Sequence, residues 1–322
     1  MTRLPCGRIL EMTARVLLVL VTISLFILGA FAAPTQAVEA GLRAAVVRLE
    51  AGVDPTSGGP ALVRALAARK RPTPYERELL RRLKVGAVGT GFFVNSDGCL
   101  VTNAHVVLSG VRYRKLRLSQ TEWDSLRLVL LAYRDLWVTV GEGSEARDYL
   151  ARPVAISEDL DLAILKVGLP PGEAAGFAFL PMARSSALRV DDQVLSLGFP
   201  EYEFRSSRGH ILSLIQGKTA HEDMQLVQST DPETGETITT VSGVSPGPVL
   251  RFQHNAPTGH GSSGGPLLNA DGQVIGVAYA LLSETDPEGN TELRSDLNLG
   301  LASDMLMRLL KENRVAFTEV RP

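Results

Sequence analysis

Gly261-Ser262-Ser263-Gly264-Gly265-Pro266, followed by Leu267-Leu268-Asn269-Ala270-Asp271-Gly272-Gln273-Val274-Ile275-Gly276-Val277, is the stretch that decides the fold. A serine set among glycines presents one hydroxyl, and the glycines let neighbouring N–H groups turn toward a common point. A free serine hydroxyl is a weak nucleophile, so such a loop carries chemistry only with a base and an orienting acid elsewhere. Candidates for both stand upstream: His105 in Leu100-Val101-Thr102-Asn103-Ala104-His105-Val106-Val107, and Asp161 in Asp159-Leu160-Asp161-Leu162-Ala163-Ile164-Leu165. The apolar runs on either side of Asp271-Gly272 read as two short strands about a turn. They dispose of the overlapping G-x-G-x-x-G match at Gly259 to Gly264, which binds a dinucleotide only where it follows a strand and opens a helix.

The order of these residues separates the candidate hydrolase folds. Gly261 to Gly265 fits the G-x-S-x-G nucleophile elbow, but in an α/β hydrolase the histidine follows the serine. All five histidines here (His105, His210, His221, His254, His260) precede Ser263. A subtilisin-like order needs an acid before His105, where only Asp54 and Asp97 stand, and Asp97-Gly98 is a hairpin-turn signal. The chymotrypsin-like order His, Asp, Ser remains. Singly, His105 reads as a core or surface histidine, Asp161 as a turn cap and the serine loop as a linker; in order and in motif context they read as one site. Asp159 competes with Asp161, because two positions along a strand share a face. His260 reads as a loop residue and not as a second base.

Short β-type runs dominate the chain: Ala45 to Leu49, Gly91 to Val94, Cys99 to Thr102, Leu136 to Val140, Pro153 to Ile156, Leu162 to Val167, Gln193 to Phe199, His210 to Gln216 and Leu250 to Gln253. Many short strands parted by turn residues indicate closed β architecture. Pro170-Pro171-Gly172 and the stretch to Pro181 make a seam, with His105 and Asp161 before it and Ser263 after it. Three segments break the rhythm. Pro60 to Lys84 reads helical, with Leu62, Leu66, Leu79, Leu80 and Leu83 on one face and interruptions at Pro72 and Pro74. Its basic residues alternate with Glu76 and Glu78, which favours a solvated face over a nucleic-acid or lipid patch. Leu108 to Asp135 is a second insertion, and polar His221 to Gly247 reads as a mobile loop. Ser303 to Asn313 reads as a closing helix with Ser303 as its N-cap.

Gly89-Thr90-Gly91-Phe92-Phe93-Val94, Thr102 to Val107, Asp161 to Val167 and Gly261 to Pro266 together resemble the trypsin-like serine proteases of the HtrA (Deg) type, over roughly Ala44 to Asn313. The resemblance implies two six-stranded antiparallel β-barrels with the active site between them, here with helical insertions, a C-terminal helix and an N-terminal hydrophobic leader. It implies Ser263 as nucleophile, His105 as general base, Asp161 as the acid that fixes the imidazole, and the N–H groups of Gly261 and Ser263 as an oxyanion hole. Asp161, not Asp159, directly precedes the Leu-Ala pair as the family's acid does. Residues before the nucleophile loop, notably Pro257 and Thr258, are expected in the specificity pocket; with no acid there, small or apolar side chains are expected at the cleaved position. Such proteases commonly carry PDZ domains, for which the 59 residues after Ser263 are too few. They often form trimers, so the resemblance implies a homo-oligomer acting on polypeptide substrates.

Bulk properties agree with an exported enzyme. The 322 residues are 45% hydrophobic and 21% charged, enough for a sizeable core, and a formal net charge of −2 gives no pull toward nucleic acid. Arg3, Arg8 and Arg15 precede an apolar run from Val16 to Ala33, followed by small-residue cleavage sites. Residues 1–37 therefore read as a signal peptide or a single-span anchor, both of which send the remainder across the cytoplasmic membrane toward a periplasmic location. The expected domains are 38–172, with insertions at about 54–84 and 108–135, and 173–322. Cys6 precedes the apolar run, which leaves Cys99 alone and without a disulfide in the exported part. The scattered histidines offer no metal set, and no cofactor is expected. The reading from another class is a catalytically silent barrel that holds unfolded polypeptide.

Overall fold

The computed structural model describes residues 36–53, 58–84, 86–108, 119–216, 225–230, 237–242, 249–285 and 291–320. The chain divides into two compact units, Met1–Gly41 and Leu42–Pro322, and every strand belongs to the second. The leader reading rests on residues outside the described set, apart from the start of helix α1 (Gln36–Ala44). No helix among the described residues is long and apolar enough to cross a membrane.

Six strands, β1 (Val46–Val53), β2 (Ala87–Phe93), β3 (Cys99–Thr102), β4 (Arg134–Val140), β5 (Arg147–Ser157) and β6 (Leu162–Val167), close a barrel in the order β1-β2-β3-β6-β5-β4. Every pairing in it is antiparallel. The β2–β3 hairpin turns where expected: Asn95 Oδ1 accepts from the N–H groups of Asp97 and Cys99, and Gly98 adopts φ +88°. Where the first barrel meets the second, its strands are apolar on both faces because both are covered. Val47, Leu49, Phe93, Leu100 and Leu165 fill the barrel. Their neighbours Val46, Phe92, Val101 and Ile164 point the other way, into a cluster shared with Leu195, Leu197, Leu268 and Leu301. The period of two along each strand thus builds one barrel core and one seam core from the same short runs.

After 168–181, which carries no regular element, come β7 (Met182–Ala183), β8 (Gln193–Gly198), β9 (Arg205–Gln216), β10 (Gln225–Thr230), β11 (Thr237–Ser242), β12 (Val249–His254), β13 (Pro266–Leu268), β14 (Val274–Thr285), β15 (Thr291–Ala302) and β16 (Glu319–Val320). The order β13-β8-β9-β12-β15-β14 closes through a β13–β14 pairing into a second six-stranded antiparallel barrel, and β7 and β16 extend its edge in parallel. Val194, Ile211, Phe252, Leu267 and Ile275 form its interior.

Two readings need correction. The loop expected over His221 to Gly247 contains the antiparallel pair β10–β11. Leu226, Val227, Ile238 and Val241 stand there among threonines and other polar residues, a β-competent composition that high polarity concealed. Ser303 opens α6 (Ser303–Glu312) but caps nothing: the cap position is Ala302, and the Ser303 hydroxyl donates to Ala183 O at 2.6 Å.

The insertions form a helical annex on the first barrel. The Pro60–Lys84 pattern is two helices, α2 (Gly59–Ala67) and α3 (Pro74–Lys84). Thr73 and Glu76 bond reciprocally to each other's N–H groups across the start of α3, with Pro74 in its first turn. The second insertion yields α5 (Gln120–Tyr133), capped in the same way by Ser119 and Glu122; α4 is the short turn Ala104–Val107. Leu66, Leu79, Leu83, Trp123, Leu126 and Leu130 make the annex core. Arg82 is fully buried in it, held by Glu78 and Leu108 O and lying 5.3 Å over the Trp123 ring.

Candidate active site

β3 and β6 are neighbours in register, with Thr102 opposite Ala163, so the chain leaving β3 and the chain entering β6 meet at one end of the first barrel. The first winds directly into α4, which carries His105. The second is a turn that ends in Asp161 with φ +52°, a left-handed conformation tolerated best by Gly, Asn and Asp. The Asp161 carbonyl accepts from Asn103 Nδ2 (2.9 Å) and Ala104 N (3.1 Å). Its carboxylate accepts from the His105 N–H (2.8 Å) and faces His105 Nδ1 at 2.7 Å. With the proton on Nδ1, the imidazole leaves Nε2 as an acceptor. The Asp161 side chain is 7% exposed and that of His105 21%, so the contact between them is largely buried while the imidazole keeps some access to solvent. Asp159 does not share this position. It is exposed in the turn preceding Asp161, so the shared-strand-face premise fails.

The loop that carries Ser263, the expected nucleophile, lies between β12 and β13. Gly261 adopts φ +99°, and a Cβ there would sit 2.4 Å from Phe199 O. Gly264 adopts φ +87°, with its would-be Cβ 2.3 Å from both Thr102 Oγ1 and Thr90 O. No side chain fits at either position. The two serines are distinguished by their surroundings. Ser262 is buried and its Oγ accepts from Gly259 N at 3.1 Å, which ties its hydroxyl into the loop. Ser263 is half-buried and faces the cleft.

Contacts across the seam hold this loop. Thr90, fully buried on β2, accepts from Phe199 N (3.0 Å) and donates to Gly261 O (2.7 Å) through one hydroxyl, while its N–H donates to Ser263 O (2.9 Å). Thr102 Oγ1 in turn donates to Thr90 O at 2.8 Å. On the far side of the loop, Glu201 N donates to His260 O at 3.0 Å. A trans peptide sends its C=O and N–H in opposite directions, so the Gly261 N–H points away from Glu201. Among the described residues, the N–H groups of Gly261 and Ser263 have no hydrogen-bond partner.

A cleft of about 630 Å³ runs along this junction and is lined by both His105 and Ser263. Its first-barrel wall includes Arg81 from α3, Gly86, and Ala87 and Val88 at the start of β2; Glu201, Tyr202, His260 and Gly261 also line it. Pro257 and Thr258 lie elsewhere. Pro257 is exposed, and its carbonyl accepts from the Ser207 hydroxyl. Thr258 Oγ1 donates to Asn298 Oδ1 (2.7 Å), and buried Asn298 donates to Ala256 O (2.8 Å).

The sequence motifs drew His105, Asp161, Ser263 and Gly261 together but passed over Thr90, Thr102, Asn103 and Asn298. The first three stand inside motifs already quoted; their bonding partners are 12 to 171 positions away, which no local signal discloses. His254, fully buried on β12, was likewise unmarked. Burial pulls its pKa down to about 4, and the Ala256 backbone opposes only part of that shift. No group of His, Cys, Asp and Glu among the described residues could hold a metal ion.

This chain is similar to two proteins named "probable periplasmic serine endoprotease DegP-like". The one from Chlamydia muridarum is 28% identical over 215 residues, covering 67% of this chain and 31% of that protein. The one from Bartonella henselae is 25% identical over 247 residues, covering 77% and 38%. The chain therefore spans about a third of the length of these relatives. The active form of the Rv3671c protease from M. tuberculosis aligns over 87% of this chain and 86% of that one, with a TM-score of 0.49 and 18% identity. A family model described as a trypsin-like peptidase domain matches residues 89–277, from the glycine before Thr90 to the strand behind the nucleophile loop. On that match, over more than half of its length, the chain belongs to the trypsin-like peptidase family.

Proposed function

We propose that this protein is an exported serine endopeptidase that hydrolyses polypeptides through an acyl-enzyme. The observation that carries the reading is the carboxylate–imidazole pair of Asp161 and His105, opening onto the cleft that Ser263 also lines. In this reading the Ser263 hydroxyl attacks the scissile carbonyl carbon as its proton passes to His105 Nε2. Asp161 holds the proton on Nδ1 and stabilises the imidazolium that forms. The N–H groups of Gly261 and Ser263 receive the charge that develops on the carbonyl oxygen. The imidazolium then protonates the departing amine, and water repeats the sequence to release the acid and restore Ser263.

The periplasmic location in the relatives' names and the basic-then-apolar leader support export and a role in envelope protein processing or quality control. A fluorophosphonate probe tests the chemistry: wild type labels and Ser263→Ala does not. An unlabelled wild type that still binds denatured polypeptide would instead make this a silent holdase barrel.

A further inference from the structure

α4, which carries His105, is a single turn, too short to stand without outside support. It passes straight into Leu108, whose N–H closes the turn on Ala104 O at 2.8 Å and whose side chain sits in the annex core. The Leu108 carbonyl accepts from Arg82 Nη1 at 2.6 Å. Arg82 is one of the basic residues expected on a solvated face, yet it is fully buried. Its Nε donates to Glu78 at 2.6 Å, and its guanidinium lies over the Trp123 ring.

The second loop of the pair is held from the same place. The turn that ends in Asp161 starts at Glu158, whose carbonyl accepts from Asp161 N at 3.2 Å. The Glu158 side chain reaches back to α5, where it accepts from Trp123 Nε1 at 2.6 Å and from Arg127 Nη1 at 3.1 Å. Trp123 thus meets Arg82 with its ring and Glu158 with its N–H, and the charges of Arg82 and Glu158 favour each other. The exit from α4 and the start of the Asp161 turn are tied to one cluster on the insertions.

Resting on the reading of His105 and Asp161 as base and orienting acid, we propose that Arg82, Trp123 and Glu158 are positioning residues for the reaction. None of the three lines the cleft. They act through the backbone, Arg82 at the end of α4 and Glu158 at the head of the Asp161 turn. Burying a cation is expensive, and an apolar side chain of similar volume often serves packing as well; the charge is kept here because it fixes where one carbonyl lies. Loosening either anchor lets Nδ1 and the carboxylate drift apart. Proton transfer from Ser263 then slows while the surface that binds substrate is unchanged, so kcat falls and KM does not.

Glu158 carries the decisive variants, because its side chain is 26% exposed and Arg82 keeps Glu78 when it is lost. In Glu158→Ala, kcat on a fluorogenic peptide is expected to fall about tenfold with KM within twofold, short of the roughly 10²-fold that a full ångström of misplacement costs. Glu158→Gln keeps an acceptor for Trp123 Nε1 and restores most of the rate. Arg82→Met and Arg82→Lys form a second pair with the same order; where Arg82→Met does not fold, the Glu158 pair decides. The His105 Nδ1 proton reads the geometry directly. Its bond to Asp161 places it far downfield in proton NMR, and its absence in His105→Gln assigns it. Followed in a Ser263→Ala background, where no chemistry occurs, it should broaden with Glu158→Ala and stay sharp with Glu158→Gln. An inactive protein would still give this reading, so a failure of the peptidase reading and a failure of this proposal are separable. Ile275→Val, inside the second barrel, supplies a destabilised control away from both loops. A resonance unmoved by Glu158→Ala, or a kcat loss in Ile275→Val equal to that of Glu158→Ala, overturns the proposal.

Discussion

Replacing Asp161 by Asn is the sharpest probe of the proposed mechanism, because the structure separates what the change removes from what it leaves. The left-handed φ of +52° suits Asn as well as Asp, so no backbone strain is added. The bonds to Asn103 and Ala104 use the backbone carbonyl, which the substitution does not touch. Only the carboxylate changes, and both its oxygens face N–H donors of His105, at 2.8 and 2.7 Å. An amide has one acceptor oxygen. If that oxygen stays on the His105 backbone N–H, the NH₂ faces Nδ1, and two donors meet unless the ring proton moves to Nε2. An Nε2 that already carries its proton cannot accept the one from Ser263. The expected loss in kcat is roughly 10⁴-fold, about 5 kcal/mol of transition-state stabilisation, with the melting temperature nearly unchanged. Initial rates on a fluorogenic peptide and the second-order rate of fluorophosphonate labelling should fall together. Asp159→Asn, in the exposed turn, should leave both within about twofold. A loss below tenfold in Asp161→Asn, or an equal loss in Asp159→Asn, refutes the assignment.

Thr90→Val keeps the shape of a buried residue while removing a donor to Gly261 O and an acceptor for Phe199 N. Two buried groups left unsatisfied should cost roughly 2–4 kcal/mol in urea unfolding, and kcat should fall more than KM rises, since Gly261 is proposed to supply an oxyanion donor. His254 should make the protein acid-sensitive. Its folded pKa of about 4 lies below the ordinary 6.5 because burial disfavours the charged ring, so between those values the unfolded chain binds the extra proton. The stability is intact above about pH 6.5 and drains away toward pH 4, by about 3 kcal/mol at the limit. Denaturation of wild type against His254→Leu at pH 7.5 and 4.5 should show that difference at the acid end only, and parallel losses in both proteins would exclude His254 as the cause.

How much of this could be read in the sequence depended on the range of the signal. The strands were legible because apolar alternation and Asp-Gly turns are local, and because seam-facing residues such as Phe92 and Ile164 turn the alternating pattern into short apolar runs. Within the second expected helical insertion the bounds of Gln120–Tyr133 went unread, although Ser119 and Glu122 spell a capping box ahead of Trp123, Leu126 and Leu130 at helical spacing. The β10–β11 pair was hidden by the polar residues that outnumber its few apolar ones, a composition that loops share. At the site, the residue types that do chemistry announce themselves through motif context. Their supports do not: Thr90 looks like any strand threonine until its hydroxyl is found between Phe199 and Gly261, and Arg82 like any charged helix residue until its guanidinium is found on Leu108 O.

The placement of those supports has a consequence for how the site is assembled. The carboxylate–imidazole pair is built wholly from the first barrel, by two loops that adjacent strands bring together. The nucleophile loop belongs to the second barrel, yet its geometry depends on the first: Thr90 bonds Ser263 O through its N–H and Gly261 O through its hydroxyl, and Gly264 packs where only a missing Cβ lets it touch Thr90 and Thr102. Barrel docking and the orientation of the proposed oxyanion donors are therefore one event. A perturbation of the seam core, at Phe92 or Leu197 for example, would reach the Ser263 loop through these short bonds without touching the side chains proposed to carry the chemistry. The same coupling runs outward: α3 sets the first-barrel wall of the cleft, and Glu201 N fixes His260 O on the other.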